Sequence, residues 1–301
     1  MTTSRGYRFL EPSALARVQN LALVARGVVE GFISGLHASP YKGFSVEFAE
    51  HRNYTPGDNL RYLDWRILGR TDRLSIKQYE EETNLRCQIL LDTSASMGYA
   101  SDPARGVSKL VYGSYLAAIL AHLMMRQQDA VGLTTFDTEP RLELPPASSP
   151  RQLDEMMKRL EKLQAGRSTA LAATLHLLAE RFKRRSLLVL LTDLHDEVEA
   201  IEGALHHLRH KRHEVILFHI LDPAERDLPY REMVNLVDLE TGERIEVDPA
   251  SVREEYRRQV EEALSRFRRI CAECRIDYVL ADTTVPYDFM LSRYLESRAR
   301  T

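Results

Sequence analysis

Three hundred and one residues is about twice the usual domain length, so the chain can hold one large or two modest domains with an ample core. With 44% hydrophobic and 28% charged residues it sits near the average for folded proteins, which excludes a disordered, collagen-like or disulfide-stapled chain. Lysine and arginine number 41 against 44 acids, a net −3, so no overall positive field draws it to nucleic acid or anionic lipid.

Met1 to Tyr7 has no apolar run behind Arg5, which argues against a signal peptide. Pro12 to Leu36 is predicted to be an amphipathic helix, and the stretch after it is poor in aliphatics and rich in Arg, Asp, Gly and Tyr. Residues 1–84 are expected to form a segment packed on a core domain of residues 85–301. From Leu85 onward, short apolar runs alternate with helical patterns, which predicts an α/β fold with a doubly wound, mostly parallel sheet. Strands are expected at Arg86–Leu91, Ala130–Thr135, Ser186–Leu191, Val215–Ile220 and Ile276–Leu280, with an edge strand and turn at Pro140–Pro146. Helices are expected at Pro103–Gln127, Pro150–Leu163, Leu171–Lys183, Glu197–His210, Pro249–Cys274 and Pro286–Arg298; proline at the tolerated first turn opens four of them. Val234 to Val247, folded about Thr241-Gly242-Glu243, reads as a hairpin inserted near 233–248. The longest apolar stretch, Leu110 to Met125, is interrupted by Tyr112, Ser114 and His122 and is shorter than the roughly 20 residues of a membrane span. The prediction is a cytoplasmic protein with no membrane span.

Chemistry concentrates at the end of the first predicted core strand, where Ile89-Leu90-Leu91 gives way to Asp92-Thr93-Ser94-Ala95-Ser96. Asp92, Ser94 and Ser96 alternate, so a loop curling around a point aims one carboxylate and two hydroxyls inward. Ligands in open α/β sheets bind at strand carboxyl ends, near the point where strand order reverses. Thr169, in a loop entering a helix, and Asp193, after a later strand, are two further oxygen donors. An all-oxygen set suits Mg²⁺ or Mn²⁺ and disfavours zinc or copper. The alternative for Asp-Thr-Ser-Ala-Ser alone is a capping turn.

The five-residue pattern resembles the metal-ion-dependent adhesion site of von Willebrand factor A domains, Asp-x-Ser-x-Ser followed by Thr and Asp. That resemblance implies direct hydroxyl ligands at Ser94, Ser96 and Thr169, action mostly through bound water at Asp92 and Asp193, and an open position for a partner's Asp or Glu. Upstream, Gly43 to Phe48, the string from Arg52 to Trp65 and Glu80-Glu81-Glu82 resemble the domain-of-unknown-function-58 family, which couples this signature to a von Willebrand A-like, Rossmann-like domain. The resemblance runs from about Leu36 to Leu221. It departs at Gly69-Arg70, where Ala-Arg is common, and at Arg167-Ser168, where Gly-Gly is usual. It implies partnership with a MoxR-type AAA+ ATPase, with this chain as adaptor or co-chaperone in assembling or remodelling a target complex.

Within the string, Pro56-Gly57-Asp58 is a turn signal. Arg52, Tyr54, Asp58, Arg61, Asp64 and Trp65 form either an internal ion-pair network with buried aromatics or a partner-binding surface, and we favour the network. Cys271 and Cys274 have zinc-pair spacing but no second pair, so a thiol pair without a metal is expected. His206, His207, His210 and His213 read as a solvated helix end.

No phosphate-binding loop, dinucleotide fingerprint or nucleophile elbow is present. The expected function is therefore non-enzymatic, a metal-dependent protein–protein interaction module. The enzyme rival is a Mg²⁺-dependent phosphoryl-transfer hydrolase using Asp92 as nucleophile; such enzymes place a second Asp where this chain has Ser94.

Overall fold

A computed structural model describes residues 12–16, 18, 20–38, 51–53, 75–77, 85–105, 107–166 and 168–298. The chain divides into two compact units, residues 1–32 with 85–301, and residues 33–84. The division at 84/85 coincides with the composition change, but the start of the N-terminal helical stretch groups with the sheet unit. In the smaller unit, β1 (His51–Asn53) pairs antiparallel with β2 (Ser75–Lys77).

The N-terminal helical stretch is two helices, α1 (Pro12–Leu15) and α2 (Leu21–Ala38). A single helix from Pro12 was expected; Asn20 interrupts it, because its side chain accepts from the Leu23 amide at 2.8 Å and caps a new start. Core elements follow in the order β3 (Arg86–Asp92), α3 (Lys109–Arg126), β4 (Ala130–Phe136), β5 (Pro140–Ala147), α4 (Pro150–Leu160) and α5 (Leu171–Arg181). Then come β6 (Leu187–Thr192), α6 (Val198–His210), β7 (Glu214–Leu221), α7 (Pro223–Asp227), β8 (Val234–Val237), β9 (Arg244–Val247), α8 (Pro249–Glu273), β10 (Asp277–Asp282) and α9 (Tyr287–Arg298).

Six strands make one sheet in the order β10-β7-β6-β3-β4-β5, parallel except for the edge strand β5. The fold is thus the expected doubly wound α/β arrangement. Its apolar runs are buried on both faces, as a parallel sheet covered by helices requires. Leu90, Leu188, Leu190, Val215 and Leu217 pack with Leu175, Leu178, Leu205, Leu208, Phe267 and Ile270 of α5, α6 and α8. Leu91 and Ile220 point the other way by strand alternation, and both lie close under Gly113 of α3. On that face Tyr112 stacks on Tyr287 of α9, centroids 4.8 Å apart.

Two expectations change locally. Pro103 opens only a short 3₁₀ turn, Pro103–Arg105, and α3 starts at Lys109 because the Ser108 hydroxyl accepts from the Val111 amide. His213 is buried, not at a solvated helix end: it lies past α6, with Nε2 at 3.1 Å from the Phe182 carbonyl oxygen. The hairpin β8–β9 forms its own two-stranded sheet. Among the described residues no helix is long and apolar enough to cross a membrane.

Candidate functional site

Strand order reverses between β3 and β6. From β3 the chain runs outward to β4 and β5, then returns to build β6, β7 and β10 on the other side. Adjacent parallel strands whose outgoing connections turn apart leave a crevice at their carboxyl ends, and ligands of such sheets bind there. β3 ends in Asp92 and β6 in Thr192, followed by Asp193.

Asp92 is fully buried, and both its oxygens are engaged. Oδ1 accepts from the Ser94 amide at 2.9 Å, which curls the loop back on itself, and Oδ2 accepts from the Thr192 hydroxyl at 2.6 Å. Burial first, and then the nearby Asp193 carboxylate, push Asp92 up to about 7. The Ser94 and Ser96 hydroxyls lie 3.0 Å apart. Each hydroxyl oxygen carries two lone pairs, so both retain the capacity to face a cation.

Asp193 is buried too, and burial alone would raise its carboxyl. The Lys109 ammonium, 2.7 Å from Asp193 Oδ2, outweighs burial and holds it below the usual range. Lys109 also contacts Glu225 Oε1 at 2.5 Å, and the two carboxylates keep the buried lysine above its ordinary value despite desolvation. Burial raises Glu225 against the pull of Lys109. Asp193 and Glu225 thus share one lysine.

His219 fixes the Asp193 backbone. Burial lowers its imidazole to about 4, so the ring is neutral near pH 7. Nε2 donates to the Asp193 carbonyl at 3.0 Å, which leaves Nδ1 to accept from the Tyr278 hydroxyl at 2.7 Å.

Thr169 lies in the loop between α4 and α5. Gly166 ties this loop to the Asp92 turn, because its amide donates to the Thr93 carbonyl at 2.5 Å. A Cβ at Gly166 would stand 2.7 Å from Asp137 Oδ2 and 3.0 Å from Thr93 O, so the close approach requires glycine. The Thr169 amide donates to Glu240 Oε2 at 2.9 Å, and its hydroxyl is buried without a hydrogen-bond partner.

Asp92, Ser94, Ser96 and Asp193 are therefore brought together at the strand ends, and Thr169 reaches that end of the sheet through its tethered loop. Among the described residues no group of three or more His, Cys, Asp or Glu is arranged to hold a metal ion. The donor set here is of another kind, hydroxyls with two carboxylates. Two observations fit a hard divalent cation: the orphaned Thr169 hydroxyl, and the strain of Asp92 and Asp193 charging side by side. From the second set, Arg52 lies in β1, whereas Tyr54, Asp58, Arg61, Asp64 and Trp65 lie outside the described residues, as does Arg167. Cys271 and Cys274 are buried in the core, and burial raises both thiols, Cys271 to about 12.

Sequence reasoning missed Lys109, Thr192, His219, Glu225 and Glu240. Two left a signal. Asp222-Pro-Ala-Glu225 is a capping box, and His219 interrupts an apolar strand. Lys109 at a helix start reads as solvated, and nothing local marks Glu240.

The family model described as "Protein of unknown function DUF58" matches residues 50–266. An uncharacterized protein of Mycobacterium tuberculosis (strain H37Rv) and one of Mycobacterium bovis are each 25% identical over 298 residues, covering 96% of this chain and 91% of theirs. Among solved structures, BatB from Bacteroides thetaiotaomicron is 16% identical, with a TM-score of 0.48 over 72% of this chain and 100% of that one. An aerotolerance-related membrane protein from Bacteroides fragilis NCTC 9343 is 19% identical, with a TM-score of 0.49 over 71% of this chain and 99% of that one.

Proposed function

We propose a docking function for this chain, which belongs to the DUF58 family of proteins of unknown function. In this reading the strand-end crevice takes one Mg²⁺ or Mn²⁺, with Ser94, Ser96 and Thr169 offering hydroxyls and Asp92 and Asp193 acting through water. The observation that carries it is the convergence of Asp92, Ser94, Ser96 and Asp193 at the topological switch point. A bound cation supplies a positive centre for a carboxylate from a protein partner. A charge-assisted contact of that kind exists only while the metal is present, which makes association switchable.

Electrostatics favour docking over phosphoryl transfer. Both Asp92 oxygens are hydrogen-bonded and the side chain is fully buried. A nucleophile needs a free carboxylate oxygen open to substrate, and neither Asp92 oxygen is one. The partner proposed from the family resemblance is a MoxR-type AAA+ ATPase, which this chain would serve as adaptor or co-chaperone in remodelling a target complex; a cytoplasmic setting goes with that reading.

Calorimetric titration of Mn²⁺ into wild type and Asp92→Ala tests it. We expect binding near one equivalent in wild type and its loss in the variant. Equal binding by both overturns the assignment. Phosphate release from general substrates that disappears in Asp92→Asn overturns the docking reading in favour of the hydrolase.

A further inference from the structure

The two edges of the six-stranded sheet are finished differently. β5 carries Pro140, Pro145 and Pro146, sets Arg141 and Glu143 between apolar residues, and pairs with β4 through two register shifts. Prolines, charges and bulges of this kind keep an exposed edge from recruiting a further strand. β10, at the other edge, has no proline and no basic residue, and its pairing with β7 is unbroken from Asp277 to Asp282.

The Thr283 amide donates to the Leu221 carbonyl of β7 at 3.0 Å. Backbone groups alternate in direction along a strand, so Ala281, Val279 and Asp277 also address β7, whereas Tyr278 and Leu280 turn theirs outward. The Ile276 amide fits the same alternation, since it donates to the Cys271 carbonyl and not to β7. Among the described residues the backbone amides and carbonyls of Tyr278 and Leu280 meet no outward partner. A cleft of about 940 Å³ borders this edge. Its walls come from the helices on the two faces of the sheet: Arg268 of α8 and Arg275 just past it on one side, Phe289 and Arg293 of α9 on the other. With Arg209 the lining holds four arginines against two acids, Glu214 and Asp277, and Glu214 is already paired with Arg185 at 2.5 Å. Among the described residues the Arg275 side chain has no hydrogen bond or ion pair. Arg268 and Arg293 meet only exposed glutamates of their own helices, Glu261 and Glu296, and such surface pairs are weak.

We propose that the free edge of β10 takes an extended acidic segment of a partner protein as a seventh strand. Main-chain hydrogen bonds to Tyr278 and Leu280 supply affinity, and carboxylates aimed at Arg268 and Arg275 supply specificity. Side chains of an added strand alternate between the two walls. The other half of them meets the exposed ring of Phe289, so the segment that fits alternates acidic with apolar residues. A second copy of this chain fits less well, because two such edges bring the same arginines face to face. The cleft takes in the starts of β6, β7 and β10, at Leu187, Glu214 and Asp277, away from the strand ends that carry Asp92 and Asp193. The proposal therefore stands apart from the metal-dependent reading.

The test uses the full chain and a short fluorescent peptide, blocked at both ends, that alternates Glu with Val. A Lys–Val counterpart controls for charge, and a Glu–Val peptide with N-methylated backbone keeps the charge but cannot pair as a strand. Binding is read by fluorescence anisotropy, and amide hydrogen exchange over residues 277–282 is read with and without peptide. The Glu–Val peptide is expected to bind, to weaken as salt is added, and to slow exchange at Tyr278 and Leu280 while leaving β5 unchanged. The other two peptides are expected not to bind. Arg275→Gln combined with Arg293→Gln, both exposed, is expected to weaken Glu–Val binding on the order of tenfold with Tm unchanged. No binding of the Glu–Val peptide at millimolar concentration, or equal binding of the Lys–Val peptide, overturns the proposal. Equal binding of the N-methylated peptide leaves charge attraction alone and overturns strand addition. A dimer of the chain by itself in sedimentation, with Tyr278 and Leu280 protected from exchange, overturns the partner segment in favour of self-pairing.

Discussion

A lysine ammonium is costly to desolvate, and Lys109 is tolerated at 2% exposure because Asp193 and Glu225 accept from it at 2.7 and 2.5 Å. Its removal leaves two carboxylates facing each other beside Asp92 with no counter-charge. Lys109→Met keeps the length and apolar stem, so the effect isolates the charge. We expect a loss of about 3–5 kcal/mol at pH 7 in urea unfolding, the range for breaking a buried pair from one side. The sign of its pH dependence follows from the carboxyls left behind. Burial already raises Glu225 above 4.5, and without the lysine both folded-state values lie above the unfolded ones. The folded variant then binds more protons, so its deficit grows as pH rises through the raised values and shrinks as pH falls toward the ordinary carboxylate range. A deficit below about 1 kcal/mol at pH 7, or one that grows on acidification, contradicts this account. That Asp92 and Asp193 stand at strand ends was readable from the apolar runs before them. Their counter-charge was not, because a lysine's partners are 84 and 116 positions away in sequence.

The strands of the six-stranded sheet were legible to within one or two residues because burial on both faces demands uninterrupted aliphatics, as in Leu187–Thr192, where every residue is buried, whereas the short polar pair β1 and β2 was not. Helix starts were less legible. Proline is compatible with a first turn but does not force one, and at α3 the hydroxyl of Ser108 decided the start. The pairing of β4 with β5 carries a constraint that no pattern announces. A Cβ at Gly132 would stand 2.5 Å from the Leu144 carbonyl oxygen and 2.8 Å from the Pro146 nitrogen, and would run into the Gln88 side-chain amide. The partners are backbone and cannot step aside without parting the strands, whose register already shifts between Val131 and Leu133. Gly132→Ala is therefore expected to destabilise by about 2–3 kcal/mol. Gly27, exposed in α2 with nothing within 4 Å, gives the opposite sign: Gly27→Ala is expected to stabilise by up to about 1 kcal/mol. Thermal unfolding of the two variants checks the contrast; equal shifts contradict it.

In the larger unit, α2 buries Leu21, Val24, Ala25, Val28 and Val29. Glu161 accepts from its first amide at 2.9 Å, and the Tyr115 hydroxyl donates to the Leu15 and Val18 carbonyls. Deleting residues 1–32 uncovers the surface these side chains cover, and a net loss of about 3 kcal/mol lowers Tm by roughly 6–12 °C in a unit of this size. Scanning calorimetry on the shortened chain checks this; an unchanged Tm would make the helix an appendage. The sequence by itself determined the α/β class and the near-complete set of core strands and helices, because each is written in local periodicity, and it put Asp92 and Asp193 at strand ends. Strand order was beyond it, and with strand order came everything that depends on two distant segments meeting. β3 and β6 being neighbours is what puts Asp92 against Asp193. The hairpin was visible as alternation about Thr241-Gly242, but where its tip lands was not. The Glu240 contact with Thr169 spans 71 residues, and only the packed chain brings the two together.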